Sequence, residues 1–170
     1  MPRRPRLEDF RATTPSPYGA DELLREARRF LDRARGQIRG DHADSVAHSS
    51  RAIELSAKAL LTLAGFSFPR RHDVGVGLAR VWQALDGEDP GKVQRAKRHI
   101  ARIGWLCDVV EPLQSISEYG YAEKRPSLIV NERDARVFYD YGRECLNILR
   151  RVNRRIGDRS FRLRPPEQHR

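Results

Sequence analysis

This sequence has no long apolar run, few aromatic residues and no apolar segment directly after its basic N-terminus. No apolar run approaches the roughly 18 residues that a membrane-spanning helix needs, so no membrane span is expected. Aromatic residues make up only 8% of the chain and β-branched runs are rare, which favours an all-helical fold. The basic N-terminus continues into LEDF rather than an apolar segment, so secretion is not expected and the predicted location is the cytoplasm.

Cysteine is also scarce, with only Cys107 and Cys145 in 170 residues. They lie far apart in the sequence on apolar helix faces, which predicts two buried, reduced thiols rather than a disulfide. The five histidines show no metal-ligand spacing, so neither a metal site nor a cofactor is predicted. Gly75 and Gly77 lie inside a helical pattern without a following Lys, which is not the pattern of a phosphate-binding loop.

Lysine is rare as well, because 29 of the 33 basic residues are Arg. The formal net charge of +10 is concentrated at the ends of the chain. Residues 1–11 carry a net +2 (four Arg against two acidic residues) and residues 150–170 a net +6 (eight Arg against two acidic residues). Such ends attract phosphate polymers or acidic partners, although they also occur as ordinary solvated tails.

Helical periodicity is what the sequence has in abundance. Amphipathic segments predict five helices, at about 19–38, 41–64, 73–86, 90–116 and 131–156. Short connections between long helices predict an all-α, up-and-down bundle over residues 18–156, between basic tails at 1–17 and 157–170.

Two of these helices carry signals at their ends. Pro112 is expected to kink or end the fourth helix, because proline cannot donate a backbone hydrogen bond. Asn131 is the predicted N-cap of the fifth helix, with Asp134 at its third position.

The second predicted helix and the turn after it are the most informative segment. The apolar face of this helix repeats every seven residues, at Val46, Ile53 and Leu60. Gly65 follows as a helix-ending residue that must reach positive φ, and Pro69 prevents an easy return to helix. Asp73 is the predicted N-cap of the third helix, and His72 is favoured as a group that bonds the turn over a ligand. The third helix would carry an apolar face of Val74, Val76, Leu78, Val81, Trp82 and Leu85.

A polar stripe lies on the same second helix. It consists of His48, Arg51 and Lys58, with Glu54 placed to pair with Lys58 at i, i+4. Because unpaired buried charge is costly, the stripe is either an internal ion pair or the wall of a cleft that binds a phosphate or another subunit. The structural pair is favoured.

The run from His48 to Val74 resembles the second helix and following turn of the HEPN domain (higher eukaryotes and prokaryotes nucleotide-binding) family. The shared marks, in order, are Ala52, Glu54, Lys58 to Leu61, Gly65 to Phe66, Pro69, and His72 to Asp73. The stretch EYGYAEKRP at 118–126, followed by a terminal helix, is similar to the family's last loop and helix, so the resemblance spans Leu23 to Val152. It implies nucleotide or RNA association, homodimerisation, and often a small nucleotidyltransferase partner for which the HEPN chain is the toxin or accessory subunit.

Active ribonucleases of that family carry an Arg-x(4–6)-His pair at the start of the last major helix. This spacing occurs at Arg35 and His42, but across a break between two helices, and at Arg162 and His169, in the proline-containing tail. Residues 118–156 contain no histidine, so the acid–base group of the motif is missing from its place. The chain is therefore read as a relative without the ribonuclease motif, and no catalytic residue is predicted.

A second candidate surface lies on the fifth helix. Its polar stripe is formed by Arg136, Arg143, Asn147, Arg150 and Arg154. A solvated outer face is the favoured interpretation, and a grip on phosphates is the alternative. Tyr119 and Tyr121, near Arg125, would either stack on a base or close the end of the bundle.

The resemblance, together with these surfaces, predicts an accessory or binding module associated with nucleotides or RNA. The same resemblance suggests pairing with a small nucleotidyltransferase in a toxin–antitoxin-like arrangement. The alternative is a protein-interaction or assembly module with no nucleotide site, and a cryptic ribonuclease ranks third.

Overall fold

The computed structural model describes residues 19–66, 74–120, 124–157 and 162–163. Within them the helices are α1 (Ala20–Gln37), α2 (His42–Leu63), α3 (Gly75–Ala84), α4 (Pro90–Tyr119) and α5 (Glu132–Gly157). A short 3₁₀ helix (Pro126–Leu128) precedes α5, and two-residue strands β1 (Leu85–Asp86) and β2 (Arg162–Leu163) complete the described elements. The predicted all-α bundle of five helices is confirmed.

Helix α2 forms the centre of the bundle, because it contacts α1, α3, α4 and α5. Its alanines at 52, 57 and 59 are fully buried and let neighbouring helices approach closely, while Ile53, Leu60 and Leu61 fill the space between them. Most of α2 is therefore buried around its whole circumference, which explains why its apolar stripe is wider than that of a surface helix.

Two glycines allow neighbouring helices to touch α2 and α1. A Cβ at Gly77 of α3 would lie 2.9 Å from both terminal methyl groups of Leu61. A Cβ at Gly142 of α5 would lie 2.7 Å from Cδ1 of Leu31. A side chain at either position would therefore force a buried leucine to shift.

The helix ends follow the sequence signals where the structure describes them. The Asp134 backbone N–H donates to Oδ1 of Asn131 at 3.1 Å, and the Asn131 N–H donates to Oδ2 of Asp134 at 3.0 Å. This reciprocal pair confirms Asn131 as the cap of α5. At the end of α2, Gly65 adopts φ +75° and the Phe66 N–H donates to the Leu61 carbonyl at 2.9 Å, as in a helix-ending turn.

Pro112 was expected to kink or end the fourth helix, and the structure excludes the second outcome because α4 continues to Tyr119. Pro112 is exposed, so the carbonyl that it leaves without a helical donor faces water. The sequence also predicted no strand, yet β1 and β2 pair antiparallel, with Leu85 opposite Leu163 and Asp86 opposite Arg162. A two-residue pairing has no alternation for a sequence pattern to detect.

Candidate functional site

The polar stripe of α2 is built around one buried carboxylate. Glu54 is 4% exposed and accepts a hydrogen bond from the Lys58 ammonium group, which is itself 6% exposed. Arg51 NH1 donates to the other carboxylate oxygen at 2.8 Å, from a partly exposed position. We call these three residues the Glu54 cluster. Within the cluster, two cations contact one anion.

The cavity between Glu54 and α4 is too small for a nucleotide. It measures about 10 Å³ and is lined by Cys107, Val110, Glu111 and Gln114. That volume accommodates at most about one water molecule, whereas small-molecule sites measure roughly 300–1,000 Å³. On this side of the cluster, among the described residues, Glu54 and Lys58 form an internal ion pair.

His48, the remaining member of the stripe, belongs to a different local contact. Its Nε2 lies 3.3 Å from Oδ2 of Asp44, one turn earlier on α2, and its ring is 5.5 Å from the ring of Phe30 on α1. His48 therefore joins α1 to α2 and does not point to the same carboxylate as Arg51 and Lys58.

The turn after α2 is only partly described. Gly65 adopts the predicted positive φ, whereas Pro69, His72 and Asp73 lie outside the described residues. Helix α3 begins at Gly75 with Val74 at its N-cap position, one residue beyond the cap predicted at Asp73.

The Arg35 and His42 pair lies across the connection between α1 and α2, with Arg35 in the last turn of α1 and His42 at the first position of α2. That connection lies near the start of α5. The pKa of Glu132 is lowered mainly by the hydrogen bond from Arg136, and Arg39 and His42 add smaller electrostatic effects. Arg162 belongs to β2, and His169 lies outside the described residues.

The arginine stripe of α5 is exposed to solvent. Arg136 donates to Glu132 at 3.0 and 2.5 Å, and Arg143 lies 3.5 Å from Asp140 and over the ring of Tyr139. Asn147 and Arg150 are exposed on the same side, while the side chain of Arg154 is not among those described. Because exposed ion pairs contribute little, roughly 0–1 kcal/mol, these guanidinium groups remain available to a phosphate.

A groove between α3 and α4 was not predicted from the sequence. It measures about 380 Å³ and is lined by both tryptophans of the chain, Trp82 and Trp105. They are 41% and 44% exposed, so Trp82, which the sequence placed among the apolar residues of α3, lies at the groove and not in the core. Two features of the sequence could have indicated the groove. The chain has only two tryptophans, and each follows a small residue by about one helical turn.

The comparisons with known proteins decide the family. The family model of the HEPN domain matches residues 20–152, which include α1 to α4 and nearly all of α5. The chain belongs to the HEPN domain family. Neither the curated proteins nor the solved structures contain a match to it.

The match includes the polar stripe of α2 and, except for Arg154, the arginine stripe of α5 of this HEPN domain. The part of α5 that the family's ribonucleases use carries arginines but no histidine between residues 124 and 157. Among the described residues, no three His, Cys, Asp or Glu side chains are placed to hold a metal ion, and no helix is long and apolar enough to cross a bilayer.

Proposed function

We propose that this HEPN domain is a noncatalytic accessory module that binds single-stranded RNA or nucleotides through phosphate contacts on α5. The observation that supports the proposal best is the exposed row of Arg136, Arg143 and Arg150, which leads into the basic C-terminal segment. An α-helical row of arginines presents guanidinium groups at intervals of about 10 Å, since seven residues rise 1.5 Å each. Weak ion pairs with Glu132 and Asp140 hold the first two without burying them.

The absence of histidine from residues 118–156 supports the noncatalytic part of the proposal. Phosphodiester cleavage by this family's motif needs an acid–base group beside the arginine, and the exposed row supplies only positive charge. RNA would be held and not cut.

The proposal includes a homodimer and a small nucleotidyltransferase as partner, both of which rest on family membership. Sedimentation of the purified chain tests the first. Co-expression with a nucleotidyltransferase encoded next to it, followed by co-purification at moderate and high salt, tests the second. A monomer at all concentrations and no co-purification would remove these two components and leave the RNA component standing.

RNA binding through α5 is tested by fluorescence anisotropy of a labelled single-stranded RNA. The variant Arg143→Glu/Arg150→Glu is expected to weaken binding and to reduce the dependence of log Kd on log salt by about 0.7 for each phosphate that the variant no longer binds. The control Arg25→Glu/Arg28→Glu changes the net charge equally on exposed positions of α1. Equal weakening by both variants would show that only net charge matters and would contradict a site on α5.

A cryptic ribonuclease is the competing enzymatic function, and His42 at the α1–α2 connection is its best described acid–base candidate. The assay is cleavage of a labelled RNA by wild type and His42→Ala purified in parallel. Cleavage that is present in wild type and abolished in the variant would contradict the noncatalytic proposal.

The assembly-module alternative predicts a different result in the same anisotropy experiment, namely no RNA binding by wild type at low salt. A protein partner would then be sought by cross-linking in its native host.

A further inference from the structure

The groove between α3 and α4 has aromatic walls and a small-residue floor. Trp82 of α3 and Trp105 of α4 line it, together with Gly75, Ala79, Ala101 and Gly104. Its volume of about 380 Å³ falls within the range of roughly 300–1,000 Å³ that is typical of small-molecule sites. Flat aromatic walls that remain exposed in a chain with few aromatic residues suit a flat, aromatic ligand.

Gly104 keeps the floor of this groove open without being required by packing. A Cβ at Gly104 would meet only Cδ1 of Leu78, at an ordinary contact distance of 4.0 Å. By contrast, a Cβ at Gly77 or Gly142 would lie within 3 Å of a leucine methyl group. Glycine destabilises the interior of a helix relative to alanine, so its presence at position 104 needs another reason. An open floor for a ligand supplies one.

Positive charge surrounds the groove on the α4 side. From Pro90 to Cys107 the helix contains five Lys or Arg residues and no Asp or Glu. The Lys97 ammonium lies 4.6 Å from the ring centre of Trp82, and the Arg102 guanidinium lies 4.3 Å from that of Trp105. Neither cation belongs to the groove lining, so each stacks on its indole from outside the groove. Arg102 also donates to both carboxylate oxygens of Glu144 on α5, at 2.8 and 2.9 Å. The Trp82 wall is thus flanked by Lys97 and the Trp105 wall by an ion pair.

The two ends of the groove differ in charge. Lys97 and Arg98 precede the floor residue Ala101 by about one turn, while Asp108 lines the groove one turn beyond Gly104. An anionic group of a ligand is therefore favoured at the Lys97 end and disfavoured at the Asp108 end.

The basic C-terminal segment returns to the same region. Strand β2 pairs with β1, and Leu85 of β1 follows Trp82 by three residues. The backbone pairing brings Arg162 and Leu163 to the end of α3, beside the wall of the groove formed by Trp82. A phosphate chain leaving the groove would meet this segment.

We propose that the groove between α3 and α4 binds an unpaired nucleobase of single-stranded RNA, stacked against the two tryptophans with its phosphate at the Lys97 and Arg98 end. This proposal rests on the proposed function for the class of ligand and adds a site that differs from the arginine row of α5. Cationic surfaces with interleaved aromatic side chains are the usual design of sites for single strands. Residues 90–107 of α4 carry five basic side chains and no carboxylate of their own, and the carboxylates near the groove include Asp108 at its far end and Glu144, which pairs with Arg102. This charge favours a polyanion over a protein partner at the Lys97 end.

The tryptophans provide a direct readout, since Trp82 and Trp105 are the only two in the chain and both line the groove. The full chain would be titrated with unlabelled oligoadenylate about ten nucleotides long, within the usual site sizes of roughly 4 to 16 nucleotides. Stacking in the groove is expected to quench tryptophan fluorescence with a saturable dependence on RNA. Anisotropy of the same RNA carrying a label would report binding anywhere on the protein.

The two signals separate this proposal from the proposed function. Anisotropy that rises without tryptophan quenching would overturn the groove and leave RNA binding on α5 intact. No change in either signal at low salt would overturn both. Quenching by AMP but not by the oligonucleotide would overturn RNA as the occupant in favour of a free nucleotide.

A pair of glycine variants tests the site itself. Gly104→Leu places a side chain on the floor of the groove. The RNA affinity measured by tryptophan quenching is expected to fall at least about fivefold, the lower bound for loss of one stacked base. Gly36→Leu is the control, because a Cβ there has nothing within 4 Å and α1 does not line the groove. Unfolding temperatures of both variants would be measured alongside. If Gly104→Leu folds and binds RNA with unchanged quenching, the proposal is wrong.

Trp82→Ala is the second variant, with Trp105 as the remaining reporter. The expected loss of affinity is about 5- to 150-fold. An affinity equal to that of wild type would contradict stacking on Trp82.

Discussion

Lys58 shows how one ion pair decides the role of a polar residue on a buried helix. Its side chain lies along α2 and its ammonium group binds the Glu54 carboxylate away from water. Sequence reasoning predicted this pair at i, i+4 and favoured a structural role for it. The exposure of Arg51, which the pattern could not indicate, leaves this residue as the only partly exposed cation of the Glu54 cluster.

Replacing Lys58 by Ala is expected to lower the free energy of unfolding by about 1–3 kcal/mol, because the buried Glu54 carboxylate would lose one charge-assisted hydrogen bond while Arg51 still donates to it. Urea denaturation followed by circular dichroism is the measurement. The matched control is Lys92→Ala, which removes an exposed pair with Asp89 (Nζ to Oδ2, 3.9 Å) and is expected to change stability by less than about 1 kcal/mol. Similar small effects for both variants would show that Glu54 does not depend on Lys58.

The two cysteines predict how stability responds to alkaline pH. Burial raises the pKa of Cys145 from 9.0 to about 12, a hydrogen bond with Ser56 opposes this rise, and the nearby Glu144 carboxylate adds to it. Burial likewise raises the pKa of Cys107. The unfolded chain ionises these thiols near pH 9 while the folded protein does not, so the contribution of each is fully present below pH 9 and is lost as the pH rises. For Cys145 this loss extends to about pH 12.

The expected loss from each thiol is roughly 1 kcal/mol per pH unit within that window. Urea midpoints would be measured at several pH values between about 8 and 11 for wild type and Cys145→Ala. A shallower pH dependence in the variant is the expected outcome. Identical slopes would mean that Cys145 ionises equally in both states.

At the scale of the helix, the sequence predicted well that the five helices exist and roughly where they begin and end. It predicted less well which of their side chains are exposed. The Asn131 and Asp134 box fixed the start of α5 because a cap is a local feature. The effect of Pro112 was harder to predict, because a helix can continue through a proline on its exposed face, where water can reach the carbonyl that lacks a helical donor. The exposure of Trp82 depends on how far α3 and α4 diverge, which is a property of packing and not of periodicity.

Glycines inside the helices give a paired prediction at this scale. Gly104→Ala is expected to raise the free energy of unfolding by roughly 0.5–1 kcal/mol, because alanine stabilises a helix interior and its Cβ meets nothing closer than 4.0 Å. Gly142→Ala is expected to lower it, because its Cβ would lie 2.7 Å from Leu31. Thermal and urea unfolding of the two variants should move in opposite directions, and equal shifts would contradict the packing distinction.

For the whole molecule, composition and helical periodicity predicted the class of fold but not which distant segments contact each other. The chain's positive ends were evident from the sequence, whereas the pairing of β2 with β1, which brings the C-terminal end to α3, joins residues nearly 80 positions apart and leaves no local trace. The candidate groove arises from the same kind of long-range arrangement. The Glu54–Lys58 pair, by contrast, lies within about one turn of one helix, and its i, i+4 spacing predicted it.

That pairing predicts an asymmetry between the two basic ends. Replacing the four Arg of residues 158–170 by Gln is expected to reduce the salt dependence of RNA binding more than replacing the four Arg of residues 1–11. Both variants remove the same charge, so each is the other's control. The measurement is anisotropy over a range of salt concentrations, and equal slopes for the two would argue that the ends act only through net charge.

The central position of α2 also constrains how the chain is made. Helix α2 ends at Leu63, but its packing against α5 cannot form until residues up to about 157 have been synthesised. At about 5–20 residues per second, the interval is on the order of 5 to 20 s. During that time the side of α2 that packs against α5 in the folded protein is exposed to solvent. The nascent chain would thus expose an apolar surface that chaperones can bind before the native core forms.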